Sequence, residues 1–201
     1  MAGGAGPSAL WYLTRGTGAV TLVLLTLSVT LGVANVRRAH SGSVPRFVVD
    51  AIHRSVSLLA LAFLAVHIVT AVLDPFAPIR LVDAVVPFVS AYRPLWLGLG
   101  AIASDLLIAV ALSSVLRRRL GHRAWRATHW LAYACWPVAL VHGLGTGSDA
   151  KTTWMLALTA ACVLVVLAAV WVRAAAGWPD HVGARGAAVL ASIAVPVALL
   201  I

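Results

Sequence analysis

Four histidines fall in two pairs, His53 with His67 and His129 with His142. The steps are 14 and 13 residues, and each pair lies inside one long apolar stretch. Imidazole is costly in hydrocarbon unless the ring is hydrogen-bonded, moving a proton or holding a ligand. Neutral imidazole nitrogen suits iron, and two rings facing each other across a porphyrin complete the axial ligation of a haem. Along a helix, 13–14 residues rise about 20 Å. Two helices with two histidines each therefore suit two ligation sites at different depths of one membrane.

The elements that must carry these rings are membrane helices. The chain has 201 residues, of which 62% are hydrophobic and 10% charged, and its mean hydropathy is +0.98. Soluble domains carry about a quarter charged residues. The sequence is read as an all-α integral membrane bundle of about six transmembrane helices. The apolar segments are 11–36, 51–73, 95–116, 128–144, 153–172 and a short one at 186–201 interrupted by Pro196. The first five approach the 17–25 residues of a spanning helix. Residues 1–10 are Gly/Ala-rich and expected to be disordered, and segment one is read as a retained helix, not a cleaved signal. The domain reading is 11–175 for the core, with 176–201 a loop plus an additional short helix.

Loop charge sets the orientation. One set of loops and their borders holds Arg37, Arg38, Arg46, Arg54, Arg117, Arg118, Arg119, Arg123, Arg126, Arg173 and Arg185. The other set holds only Arg15, Arg80, Arg93 and Lys151. The positive-inside rule places the first set in the cytoplasm and both termini outside, as expected for a multi-pass plasma-membrane protein. The net charge of +9 is thus accounted for by topology, and no nucleic-acid partner is expected. The stretch 79–90 is expected to form a short interfacial helix over the outer face.

With that topology the second and fourth segments run parallel. His53 and His129 share the cytoplasmic level, and His67 and His142 share the outer level. A step of 14 residues leaves His67 about 40° from His53, on one face. A step of 13 leaves His142 about 140° from His129, which a straight helix does not reconcile. Pro137 lies between them, so an irregularity is expected at Ala134–Pro137.

The pattern His53-x13-His67 with His129-x12-His142 resembles the ferric-reductase-like transmembrane domain. That domain is shared by NADPH oxidases, ferric reductases and the haem-binding membrane subunit of bacterial methionine sulfoxide reductase. Arg15-Gly16-Thr17-Gly18 and His129-Trp130-Leu131-Ala132-Tyr133 add to the resemblance, which covers about residues 10–175. It implies two b-type haems, one on His53 and His129 and one on His67 and His142, and electron transfer from the cytoplasm outward. The 201 residues contain no Gly-rich nucleotide loop. The expected donor is therefore separate, a flavoprotein or quinol, with a separate outer-side acceptor. A flavin at the cytoplasmic arginines is left open.

Haem propionates need cationic partners, and Arg15, Arg54 and Arg126 are the candidates; snorkelling or topology arginines are the alternative reading. Phe63 and Trp136 lie between the two levels, as relay or as packing. Asp105 is the one acid deep in a span and is expected to pair, for instance with Arg15, to move a proton or to bond a neighbouring helix. Gly143, Gly145 and Gly147 would let the backbone pass close to the outer haem edge. Cys135 and Cys162 are read as core residues, and no Cys-x-x-Cys-His supports covalent haem. The competing reading is a small transporter or structural membrane protein with core histidines and no haem.

Overall fold

A computed structural model describes residues 8–37, 45–175 and 183. Among the described residues six helices follow one another: α1 Ala9–Arg37, α2 Arg46–Leu73, α3 Pro94–Val115, α4 Arg117–His129, α5 Leu131–Thr146 and α6 Thr153–Ala175. A single 3-10 turn, Leu81–Ala84, lies between α2 and α3. No strand occurs among the described residues. The chain is a multi-pass helical membrane bundle. Windows in α1, α2, α3 and α6 are long and apolar enough to cross a bilayer, and α5 is a shorter apolar helix of 16 residues. The segment 186–201, residues 1–7 and the residues around Arg38, His40, His181 and Arg185 lie outside the described residues.

Hydrocarbon forces each span to satisfy its own polar groups. In α1 the threonines do so by back-bonding. The hydroxyls of Thr17, Thr21, Thr26 and Thr30 donate to the carbonyls of Leu13, Thr17, Leu22 and Thr26 at 2.6–2.9 Å. This pattern satisfies the hydroxyl without a partner helix. It leaves α1 free to pack closely on α2, where Thr14 bonds Thr70 at 3.0 Å and Ser28 bonds Ser57 at 2.7 Å.

The bundle has two packed pairs, α1 with α2 and α3 with α5, and α6 lies against α1. Leu25, Ala60, Trp136, Leu140, Cys162 and Val166 form the buried centre where these meet. Trp136 donates its indole N–H to the Thr26 hydroxyl at 2.9 Å, tying α5 to α1 in that core. Trp136 is therefore a packing and anchoring residue between the histidine levels.

Two expectations are revised. The fourth expected span is broken, so His129 and His142 occupy different helices. α4 ends on His129, Trp130 makes the junction, and α5 begins at Leu131. The amide of Tyr133 bonds the Trp130 carbonyl at 3.1 Å, a tightened i,i+3 turn. The irregularity thus falls where the basic stretch gives way to the apolar one, several residues before Pro137, which α5 accommodates. α4 is itself interrupted at Gly121, whose φ of 78° is left-handed.

The expected interfacial helix at 79–90 is also absent. Pro75, Pro78 and Pro87 limit regular helix, and only the four-residue turn forms. The segment instead folds along α3. Phe88, at φ 66°, lays its ring where Gly98 has no side chain; a Cβ there would stand 2.2 Å from the ring. The Ser104 hydroxyl reaches the Ala84 carbonyl at 3.3 Å, well down α3.

Candidate functional site: two facing histidine pairs

Helix packing brings the four rings together in the expected combination. His53 faces His129 with ring centroids 6.3 Å apart, and His67 faces His142 at 6.4 Å. Two imidazoles on opposite sides of one metal ion, bound at about 2.0–2.1 Å with each ring centre about 1.1 Å behind its nitrogen, have centroids about 6.3 Å apart. Both pairs match that span.

Three of the four rings are oriented by their far nitrogen. His53 Nδ1 is 3.0 Å from the Ser28 carbonyl, and His67 Nδ1 is 2.8 Å from the Thr14 carbonyl. His142 Nδ1 is 2.8 Å from the Trp96 carbonyl and 3.1 Å from the Thr146 hydroxyl. A carbonyl only accepts, so Nδ1 carries the proton and Nε2 presents a bare lone pair. Such outer hydrogen bonds fix tautomer and ring direction in metal-bound histidine. His129 differs: its Nδ1 is buried with no hydrogen-bond partner, and its ring lies 5.2 Å from that of Trp125.

Glycines make room for the rings. A Cβ on Gly18 would stand 3.0 Å from His67, and one on Gly100 would stand 2.5 Å from His142. Across from His53, a Cβ on Gly32 would be in ordinary contact at 3.7 Å. The sequence reading missed this arrangement, although α1 carries its signal. Thr14-x3-Gly18 and Ser28-x3-Gly32 repeat at a spacing of 14 residues, the same spacing as His53 and His67. Each repeat supplies one carbonyl acceptor and one gap to the antiparallel α2.

Among the described residues no group of three or more His, Cys, Asp or Glu comes together. Each pair can thus give one ion two ligands, and the remaining four must come from a planar macrocycle or solvent. Beside the outer pair lies a cavity of about 240 Å³, bordered by His67, His142, Arg15, Asp83, Tyr92 and Cys135. The 74–93 segment supplies the wall between α2 and α3, which barely touch. Its backbone is pinned by Asp83, which accepts from the Arg80 amide at 2.9 Å and the Arg80 guanidinium at 3.1 Å. The Arg80 amide, chiefly, holds the Asp83 carboxyl below its ordinary range.

The three candidate arginines separate. Arg15 borders the outer cavity, bonds Asp149 at 2.5 Å and Ser148 at 2.6 Å, and lies over the Trp11 ring. Arg54 and Arg126 are exposed near the inner level. Arg15 does not pair with Asp105, whose side chain is exposed on α3. Of the α5 glycines, Gly145 makes room for the Trp96 indole, whose carbonyl holds His142; its effect on the ring is indirect. Gly147 lies against Gly143 and Arg15, and Gly143 has open space around it.

Compared with known families, residues 15–140 match the one described as ferric reductase like transmembrane component. No curated protein and no solved structure matches the chain.

Proposed function

The chain belongs to the ferric reductase like transmembrane component family, and from that premise we propose that it is a di-haem b-type cytochrome carrying electrons across the plasma membrane. Membership makes it a membrane electron-transfer component. The two-haem reading rests on one observation above all: both histidine pairs have the span of axial ligands, 6.3 and 6.4 Å between ring centroids. His53 and His129 are the inner ligands, and His67 and His142 the outer ones. When bound, haem supplies a reversible one-electron carrier whose potential follows its axial ligands and surroundings.

The residues' own tasks follow from their contacts. Ser28, Thr14 and Trp96 hold three imidazoles in the tautomer that presents Nε2. Gly18, Gly32 and Gly100 keep space beside the rings. Arg15 is the cation for an outer propionate, and Arg54 and Arg126 serve the inner level. The 74–93 segment screens the outer site, and residues 11–175 form the working domain. With two histidines holding each haem, an acceptor would not need to bind iron and would be met at the outer face, beside His67 and His142.

The donor side is cytoplasmic, with the arginine-rich connections of the sequence facing inward and the termini outside. On that side α4 exposes Arg117, Arg118, Arg119, Arg123 and Arg126. His122, Trp125 and His129 stack along it at 5.4 and 5.2 Å between centroids. That face suits an anionic donor, a separate flavoprotein or a quinol, or a flavin held by the arginines. The test is a sealed vesicle holding the purified protein, with reductant on the α4 side and a ferric chelate on the other. Reduction of the chelate only with haem-loaded protein is expected. Equal rates with empty vesicles would remove the reading in favour of a haem-free membrane protein.

A further inference from the structure

Two buried side-chain nitrogens have no hydrogen-bond partner among the described residues: His129 Nδ1 and Arg173 Nη1. The first belongs to the inner histidine pair. The second lies in the last turn of α6. A guanidinium stays charged, and a buried charge without a partner is costly. An arginine that only marks topology or snorkels turns its tip to water or to lipid headgroups. Arg173 buries its tip instead, and no carboxylate pairs with it among the described residues.

The pattern along α6 gives the direction. Thr159, Cys162 and Val166 are buried, while Leu164, Val165, Trp171 and Val172 are exposed. Arg173 stands seven residues beyond Val166 and so continues the buried face. Depth follows from the same step, because seven residues make two turns and about 10 Å of rise. The buried centre holds Leu25, Ala60, Trp136 and Val166 together. Seven residues outward from Leu25, Ala60 and Val166 stand Gly18, His67 and Thr159, which all line the outer cavity. Seven residues inward from Leu25, Ala60, Trp136 and Val166 stand Gly32, His53, His129 and Arg173. The first three make the inner site, so α6 brings Arg173 to that level.

We propose that Arg173 binds a propionate of the inner haem, as the inner counterpart of Arg15. This rests on the two-haem reading above. The propionates are the anionic groups of haem, and a guanidinium meets a carboxylate with two parallel hydrogen bonds. Arg15 already has Asp149 beside it, whereas the buried charge of Arg173 is unmatched by the described residues. Arg54 and Arg126 share the inner level but are exposed, where water and salt screen them. A buried cation at the haem edge opposes the positive charge gained on oxidation, so Arg173 raises the potential of that haem.

The test uses full-length, haem-loaded protein in nanodiscs, with redox titration by visible spectra and haem transfer to apomyoglobin. In a His67→Ala background, which keeps only the inner haem, Arg173→Met should lower the midpoint potential and speed haem transfer by about tenfold. Arg173→Lys, which keeps the charge, should recover most of the potential. In a His129→Ala background, which keeps only the outer haem, Arg173→Met should change neither quantity, and that intact haem also verifies folding. The effects should be equal in neutral-lipid and phosphatidylglycerol nanodiscs. An inner haem indifferent to Arg173→Met, equal shifts in both backgrounds, or an effect confined to phosphatidylglycerol, which would assign Arg173 to a lipid phosphate, would overturn the assignment alone. A His67→Ala chain that holds no haem would remove the two-haem reading and the assignment with it.

Discussion

The outer histidine pair is built more tightly than the inner one. Both outer rings have their Nδ1 on a carbonyl, and glycine gaps of 3.0 and 2.5 Å press against them. On the inner side only His53 is held in this way, its glycine stands back at 3.7 Å, and His129 Nδ1 has no partner. The cause lies in the elements. α1 carries two copies of a Ser/Thr-x3-Gly unit 14 residues apart and serves both rings of α2 alike. α3 carries one such arrangement, Trp96 with Gly100. Fourteen residues beyond Gly100 stands Ser114, and the Val110 carbonyl already accepts from Ser113 and Ser114 at 2.9 and 2.8 Å. The fourth histidine therefore sits at a helix junction, oriented by Trp125 of the basic helix α4.

This contrast can be broken at its tight end. Gly100→Val places carbon inside the His142 ring and should remove the outer haem, halving haem per chain by pyridine haemochrome assay. Gly32→Ala, with ordinary contact available, should keep both. Equal losses from the two would erase the distinction between the levels.

Trp125→Ala acts on the loose end. The ring beside His129 is lost, and only the inner haem should respond, by a shifted low-spin electron paramagnetic resonance signal with the outer signal unchanged. A change in both signals would show that the levels are not independently held.

Trp136→Phe should affect neither pair selectively. It removes the bond to Thr26 while keeping most of the aromatic volume, at a cost of about 1 kcal/mol. Thermal unfolding in detergent should fall slightly with haem stoichiometry intact.

The smallest effect concerns the outer wall. The Asp83 carboxyl titrates below its ordinary value, so its contribution to stability is complete above about pH 4. It is lost as pH falls through the lowered value. Acid strong enough to protonate Asp83 should loosen the 74–93 segment in hydrogen exchange, and Asp83→Asn should reproduce the loosening at neutral pH.

The pairing of the histidines was legible because side-chain type, spacing and loop charge together encode depth. Rotation about a helix was less so. Asp105 and Arg15 could be matched by eye but point elsewhere, since Arg15 turns to Asp149 and Asp105 faces outward. The acceptors Thr14, Ser28 and Trp96 act through backbone carbonyls, which leave no residue signature, although the glycines four residues beyond each were there to read. Pro137 suggested a kink at the wrong place. A membrane helix tolerates proline, whereas the change from basic to apolar sequence at Trp130 redirects the chain.

The most direct test is the haem content and spectrum of the purified chain. The account predicts two b-type haems per chain, both low-spin with bis-histidine axial ligation, one lost when either His67 or His142 is replaced by alanine and both lost when all four histidines are. A colourless protein, or a haem spectrum that survives the fourfold replacement, would contradict it.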